Sequence, residues 1–438
     1  MSRLQQPTWL KTLLAKRGPP PKLYAWTPAN LDPLPRRLSP SRQSSLDERI
    51  FILGVGNIGL LFATGLARHP NPAPITLVVH RKDLLSQWHQ GQGLQLTQDG
   101  LTTRNKQFDI EWWTESRPER GPVREVADGG KLRNLLISTK TSAAMPEADR
   151  LRRYLDKSSS VVFAQNGMSK LWPPHGPLYV AGQYEPGGAP NFSACVINHG
   201  LFSTGPFQST YKAPADASIG PVLVNPEFAP RGGFLSRQIT TSPLLKTRAV
   251  SSGQLWLLQL EKLVVNAIIN PLTALLRCEN GYIFSSRDPQ HPLVRVQSRL
   301  LAEISAVLQA FVNHESNHNL IASCAERFHA GNLSNQKHGQ QEGLEIVKRD
   351  ITHRFSPERL QEKLHALAII VGKNRSSMLQ DVEAGKKTEV GDFNGWIVDT
   401  AAFLGKAASD TATHQRLIEL VEGGVVLDEG ALAEQLLH

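Results

Sequence analysis

The sequence predicts an α/β chain, with a doubly wound sheet first and an all-helical domain after it. Three features carry that expectation. Short apolar runs at Ile50–Leu53, Ile75–Val79, Leu135–Ser138 and Val161–Ala164 read as buried strands. The first of them feeds Gly54-Val55-Gly56-Asn57-Ile58-Gly59 and then the helical pattern LLFATGLARH. From Ser251 onward the apolar period is helical.

Strand, GxGxxG and helix in succession form the Rossmann-type dinucleotide arrangement. Gly54 permits the tight turn, Gly56 lets the backbone approach a pyrophosphate, and Gly59 lets helix and strand pack closely, with the phosphates on the helix N-terminus. The second strand then ends in His80-Arg81-Lys82. An NAD-specific fold usually places a carboxylate there for the ribose hydroxyls. Cations in its place favour the 2′-phosphate of NADP, so the cofactor expected is NADPH/NADP.

Residues 91–130 look like edge strands and an irregular polar insertion. The strands at Leu135–Ser138 and Val161–Ala164 end in Thr139-Lys140-Thr141 and Gln165-Asn166-Gly167-Met168. Both endings fall at the carboxyl edge of the sheet, where ligands bind in doubly wound folds, so Lys140 and Asn166 are cofactor-side candidates. Residues 176–250 are rich in Gly, Pro, Ser and Thr, with strand-like pieces at Ala194–Ile197 and Ala217–Ile219. They read as the end of the first domain and a variable linker.

The helical half opens on Leu255–Ala274, where Lys262, Asn266 and Asn270 recur every fourth residue and stack as one stripe. The rest of this helix is apolar nearly all round, so it is buried, and each polar group on it needs a partner or costs about 1–3 kcal/mol. The stripe reads as a polar seam lining a cleft, with Lys262 as an acid or an anion clamp. Pro271 is expected to kink the helix. Val294–Phe311 and Pro357–Val371 are further helices. Between them lie His314, His318, His329 and His338. The first two are four residues apart, but no third ligand is placed beside them, so no metal is expected.

Charge and cysteine usage exclude some functions. Of the net +9, residues 1–46 carry +7, with eight Lys or Arg against Asp32 alone. The body is nearly neutral and gives no sign of nucleic-acid binding. Cys195, Cys278 and Cys324 show no CxxC spacing, which fits a reducing compartment. No apolar run of 18 residues is present, so no membrane span is expected. The prolines before residue 41 make residues 1–46 a disordered basic extension. Its first part, with Leu10, Leu13 and Leu14 together, has the composition of a mitochondrial targeting segment; the alternative is a cytoplasmic protein. The domains expected are therefore residues 1–46 as extension, 47–248 as NADP-binding domain and 249–438 as helical substrate domain.

GVGNIG, KLVVNAIINPLTALLRCENG and SSMLQDVEAGKKTEVGDFNG follow one another along the chain, and together they resemble the ketopantoate reductase (2-dehydropantoate 2-reductase) family, whose order they keep. The likeness covers roughly residues 50–425, with insertions near 111–130, 221–250 and 312–350. It implies an N-terminal Rossmann domain, an all-helical C-terminal domain and an active site in the cleft between them. It implies NADPH-dependent reduction of ketopantoate to (R)-pantoate on the route to pantothenate and coenzyme A. By the same resemblance Lys262 matches the proton donor. Asn266, Asn270, Asn280 and Ser377 match substrate-contacting residues. Gly54 to Gly59, Arg81, Lys140, Asn166, Leu201 and Glu389 match cofactor-contacting ones. The partner implied is a small 2-keto acid, with a monomer or homodimer as the assembly. Two alternatives stay open: a reductase of this fold acting on another 2-keto acid, and a non-catalytic organelle regulatory protein that kept the fold.

Overall fold

The computed structural model describes residues 6–16, 18–31, 46–225, 233–325 and 337–437. Trp9–Ser251 form one compact unit, and the chain from Ser252 forms a second. Along the chain come α1 (Thr8–Ala15), β1 (Tyr24–Trp26), β2 (Ile50–Leu53), α2 (Asn57–Ala67), β3 (Ile75–Val79), α3 (Asp83–Gln90), β4 (Leu94–Gln98), β5 (Leu101–Asn105) and β6 (Asp109–Thr114). They are followed by β7 (Asn134–Ile137), α4 (Thr141–Arg150), β8 (Ser160–Ala164), α5 (His175–Gln183), β9 (Asn191–Ile197), β10 (Gly200–Gly205), β11 (Gln208–Ala213), β12 (Ala217–Leu223), α6 (Phe234–Thr240) and β13 (Thr247–Ala249).

The main sheet has the order β1-β6-β3-β2-β7-β8-β9-β12-β13. From β6 to β9 every neighbouring pair is parallel. Parallel strands are covered on both faces, which is why β2, β3 and β7 are buried at every position. Strand order reverses between β2 and β7, so the loops after Leu53 and Ile137 open side by side at the carboxyl edge. A smaller sheet, β10-β11-β4-β5, stands apart from the main one.

Two readings of the sequence are corrected here. Residues 91–130 are not only edge and insertion, because β6 lies inside the main sheet, parallel to β3. Its pattern Asp-Ile-Glu-Trp-Trp-Thr hides this. Glu111 is buried, its carboxyl pushed up by burial and held by the Trp113 indole N–H at 2.7 Å. The stretch 176–250 is no linker either, since it supplies β9, the last parallel strand, and β12, which pairs with it antiparallel.

The third correction concerns residues 1–46. Residues 1–5, 17 and 32–45 lie outside the described residues, but the remainder is packed. α1 buries Leu10 and Leu13, and Gln183 Nε2 donates to Leu13 O at 2.9 Å. β1 pairs antiparallel with β6 and caps that edge of the sheet. Trp26 Nε1 donates to Ser116 O at 2.7 Å, and Leu23 N to the buried Tyr154 hydroxyl at 2.8 Å. Prolines stop such a segment from building its own core, but they do not stop it docking on an existing edge.

The second unit is helical throughout: α7 (Ser252–Leu276), α8 (Pro292–Asn313), α9 (His318–Ala325), α10 (Lys337–Arg354), α11 (Pro357–Val371), α12 (Ser377–Glu383), α13 (Val390–Phe403), α14 (Ala412–Glu422) and α15 (Glu429–Leu437). α7 is its core, buried from Leu255 to Leu275 apart from a few positions. Although it contains no unbroken apolar run of 18 residues, α7 qualifies by length and mean hydropathy as a membrane span. Its apolar window is 78% buried inside the protein, and a core helix passes the same test. The helix also runs unbroken through Pro271, so the expected kink does not interrupt it.

Because Leu10, Leu13, Leu23, Ala25 and Trp26 are all buried, the described residues 9–16 and 18–31 belong to the folded sheet unit. Protein lacking them should melt at least about 5 °C lower, since each fully buried leucine contributes about 1.5–3 kcal/mol. An unchanged thermal midpoint would show that the segment adds nothing to the fold.

Candidate active site

In the first unit the site begins where β2 ends. Gly54 turns at φ +94°, and its N–H donates to Val78 O at 3.0 Å. A side chain at Gly59 would put its Cβ 2.0 Å from Gly54 O, so strand and helix meet there at glycine distance. Ser138, at the end of β7, locks the same point by donating to Gly54 O at 2.7 Å. Gly56 is exposed, with nothing within 4 Å of its Cβ direction. It begins α2 with no side-chain cap. The N–H groups of the first turn are thus presented at an open glycine, as a pyrophosphate requires. The residues present fit a dinucleotide.

The other cofactor candidates lie in the same unit. Val55 and Ile58 pack partly buried against the core below the turn. Asn57 Oδ1 accepts from Ser209 Oγ at 2.7 Å, which ties the turn to β11. Lys140 directly precedes α4 in the loop after β7, and Asn166 lies in the loop after β8, next to Gln165. Thr141 Oγ1 donates to Asn166 O at 2.5 Å, so these two endings are held together. Leu201 sits in β10 of the smaller sheet, partly buried with Val55 and Ile58 against one core.

At the end of β3 the three basic residues are not equivalent. Arg81 Nε pairs with Asp83 Oδ1 at 3.0 Å, and both side chains are about half exposed. Lys82 Nζ lies 4.5 Å from the Trp26 ring centroid, an engagement supplied by β1. His80 is held below its usual range by burial and by the adjacent Arg81 charge.

In the second unit the predicted stripe is a single face of α7. Asn266 and Asn270 are buried and Lys262 is half-buried. Glu261 points elsewhere, to Lys363 Nζ at 2.5 Å and Arg354 at 3.5 Å. Asn270 Nδ2 donates to Ser377 Oγ at 3.4 Å, so α7 and the start of α12 share one polar face. Asn280 follows α7, and its N–H donates to Asn374 O at 2.9 Å, just ahead of α12. Among the described residues Asn266 Nδ2 and Asn280 Oδ1 are buried with no hydrogen-bond partner. Each is a buried polar group without its complement, a condition shared in this unit by Trp256 Nε1, Asn317 Oδ1 and Asn394 Oδ1. Glu389 starts α13, with its main-chain oxygen accepting from Asp392 N and Phe393 N.

The sequence reading missed the residues that brace these groups. Thr273 and Ser376 place their hydroxyls 2.7 Å apart, and Ser376 caps α12 by accepting from Leu379 N at 3.0 Å. Gln165 Oε1 is buried and unpartnered among the described residues, beside Asn166. The capping serine was open to discovery from Ser-Ser ahead of an apolar helix; Ser138 was hidden at a strand end. Among the described residues no three His, Cys, Asp or Glu side chains cluster to hold a metal. His314 Nδ1 is engaged with Ser316 instead, while His329 lies outside the described residues.

Known proteins match both halves. Residues 50–223 match "Ketopantoate reductase PanE/ApbA", and residues 254–424 match "Ketopantoate reductase PanE/ApbA C terminal". "Ketoisovalerate reductase BEA2" of Gibberella fujikuroi is 50% identical over 462 residues, covering 100% of each chain. The chain belongs to the ketopantoate reductase family. Within that family, "Probable 2-dehydropantoate 2-reductase" of Schizosaccharomyces pombe is 26% identical across 85% of this chain and 96% of its own. A solved D-mandelate dehydrogenase with NADH and anilino(oxo)acetate shares the fold, with a TM-score of 0.55, 17% identity, and 88% and 99% of the two chains covered. This ketopantoate reductase family member is thus an oxidoreductase with the family's sheet domain followed by its helical domain.

Proposed function

We propose that this chain reduces a branched 2-keto acid to the 2-hydroxy acid with NADPH, and that ketoisovalerate is its preferred substrate. The observation that carries the chemistry is the face of α7. It presents one cation, Lys262, with the amides of Asn266 and Asn270 on successive turns and the Ser377 hydroxyl beside the last. Full-length 50% identity to a protein named ketoisovalerate reductase supports the choice of acid.

When bound, the nicotinamide dinucleotide supplies the hydride. Gly54, Val55, Gly56, Asn57, Ile58 and Gly59 would hold its phosphates. Lys140, Asn166, Leu201 and Glu389 would make its other contacts, and Arg81 would take the 2′-phosphate in place of Asp83. As the ketone is reduced, negative charge grows on its oxygen. The Lys262 ammonium stabilises that oxygen and then donates a proton to it. Asn266, Asn270 and Ser377 donate to the substrate carboxylate without adding charge.

Ketopantoate is the second reading, and one atom favours it. Asn280 Oδ1 is a buried acceptor that needs a donor. The hydroxyl of ketopantoate supplies one, whereas ketoisovalerate has none.

Purified protein assayed with NADPH and a panel of 2-keto acids should turn over ketoisovalerate with the highest kcat/KM. A higher value for ketopantoate would promote the second reading, and no turnover of any 2-keto acid would end both. Lys262→Ala should cut turnover by about 10²–10⁴-fold, the range for losing a general acid. A loss under threefold would remove Lys262 from that role. Arg81→Ala should narrow the preference for NADPH over NADH. Unchanged Michaelis constants for both cofactors would remove Arg81 from phosphate recognition.

A further inference from the structure

Pro271 leaves a gap in the hydrogen bonding of α7. An unbroken helix would give the carbonyl of Ala267 the N–H of residue 271, and proline has none. Asn394, on α13, takes its place: its Nδ2 donates to Ala267 O at 2.9 Å. The Asn394 side chain is wholly buried.

A second helix fixes that amide. Asn394 Nδ2 also lies 2.9 Å from His414 Nδ1, on α14. His414 Nε2 in turn lies 3.2 Å from Leu300 O, on α8. Only a proton on Nε2 suits that carbonyl, so Nδ1 accepts and Asn394 donates. Burial holds His414 neutral, with its pKa lowered to about 4. Its main-chain N–H donates to Glu303 Oε2 at 3.3 Å, and Glu303 Oε1 takes the Thr413 hydroxyl at 2.6 Å. Turned the other way, the Asn394 amide would set its oxygen against Ala267 O. In its present sense Oδ1 stays buried without a partner among the described residues. The fold accepts that orphan in order to serve the Ala267 carbonyl.

Ala267 stands next to Asn266 and one turn before Asn270. We propose that Asn394 is a positioning residue for the asparagine face of α7: it holds the one helical carbonyl that Pro271 abandons and so fixes where Asn266 and Asn270 point. The proposal rests on reading that face as the 2-keto acid site.

A double-mutant cycle of Pro271→Ala and Asn394→Leu in the full chain tests it. Kinetics would be measured with the 2-keto acid that the wild type reduces best, alongside amide hydrogen exchange along α7. Asn394→Leu should lower kcat/KM about 10²-fold, the scale of an ångström of misplacement, with NADPH affinity unchanged. Pro271→Ala restores the N–H at residue 271, so alone it should stay within about threefold of wild type. The Pro271→Ala/Asn394→Leu double variant should recover most of the lost kcat/KM. Its thermal midpoint should remain low, because His414 Nδ1 still lacks its donor. A purely structural Asn394 would give the double variant the same kinetic loss as the single one, and that result overturns the proposal. Asn394→Ala replaces Asn394→Leu in the cycle if the leucine variant does not fold. Should the wild type reduce no 2-keto acid, the reading of the site fails on its own. The exchange arm still decides the positioning role: faster exchange at the amides of residues 266–270 in the single variant, restored in the double, supports it, and unaltered exchange refutes it.

Discussion

Burial of α7 is the constraint on which the helical unit depends. A 25-residue helix enclosed along most of its length has no water to satisfy its polar groups. Several of them are answered by neighbouring helices, while Asn266 Nδ2 and Trp256 Nε1 stay buried without a partner among the described residues. α11 and α10 answer Glu261, α12 answers Asn270 and Thr273, and α13 answers the Ala267 carbonyl. The helices pack in the arrangement that supplies those partners, and the polar face of α7 inherits its precision from them. Catalytic residues placed on such a helix are held by packing on all sides instead of by a loop.

The sheet unit solves a different problem, that of bringing main chain close to main chain. Gly59 against Gly54, with Ser138 bonded across, sets the end of β2 directly on the first turn of α2. The next two strand ends are joined by Thr141 and Asn166. One edge of the sheet thus becomes a row of fixed turns. The N-terminal segment contributes to it as well, because Trp26 of β1 offers its ring to Lys82 Nζ, while Arg81 at the end of β3 pairs with Asp83.

Much of this was legible in the residues. Continuous apolar runs disclosed β2, β3, β7 and β8, because strands buried on both faces have no polar period to obscure them. The four-residue recurrence of Lys262, Asn266 and Asn270 disclosed a polar face of α7. β6 escaped because it carries Asp109 and Glu111, and a buried glutamate held by an indole breaks the expected pattern. The docking of β1 escaped because proline-rich composition speaks only to whether a segment can fold alone. Asn394 escaped for a third reason. Its partner is a carbonyl freed by a proline more than a hundred residues earlier, and no local pattern records such a pairing.

The unpaired Asn266 amide and Asn280 oxygen have a consequence beyond recognition. Each is a buried group whose solvation was surrendered on folding and not replaced. A metabolite that meets both raises the free energy of unfolding by mass action, as any ligand specific to the native state does. Were such a metabolite to bind, turnover of the polypeptide would be coupled to its supply: starved copies would open more often and meet proteases sooner, while saturated copies would persist.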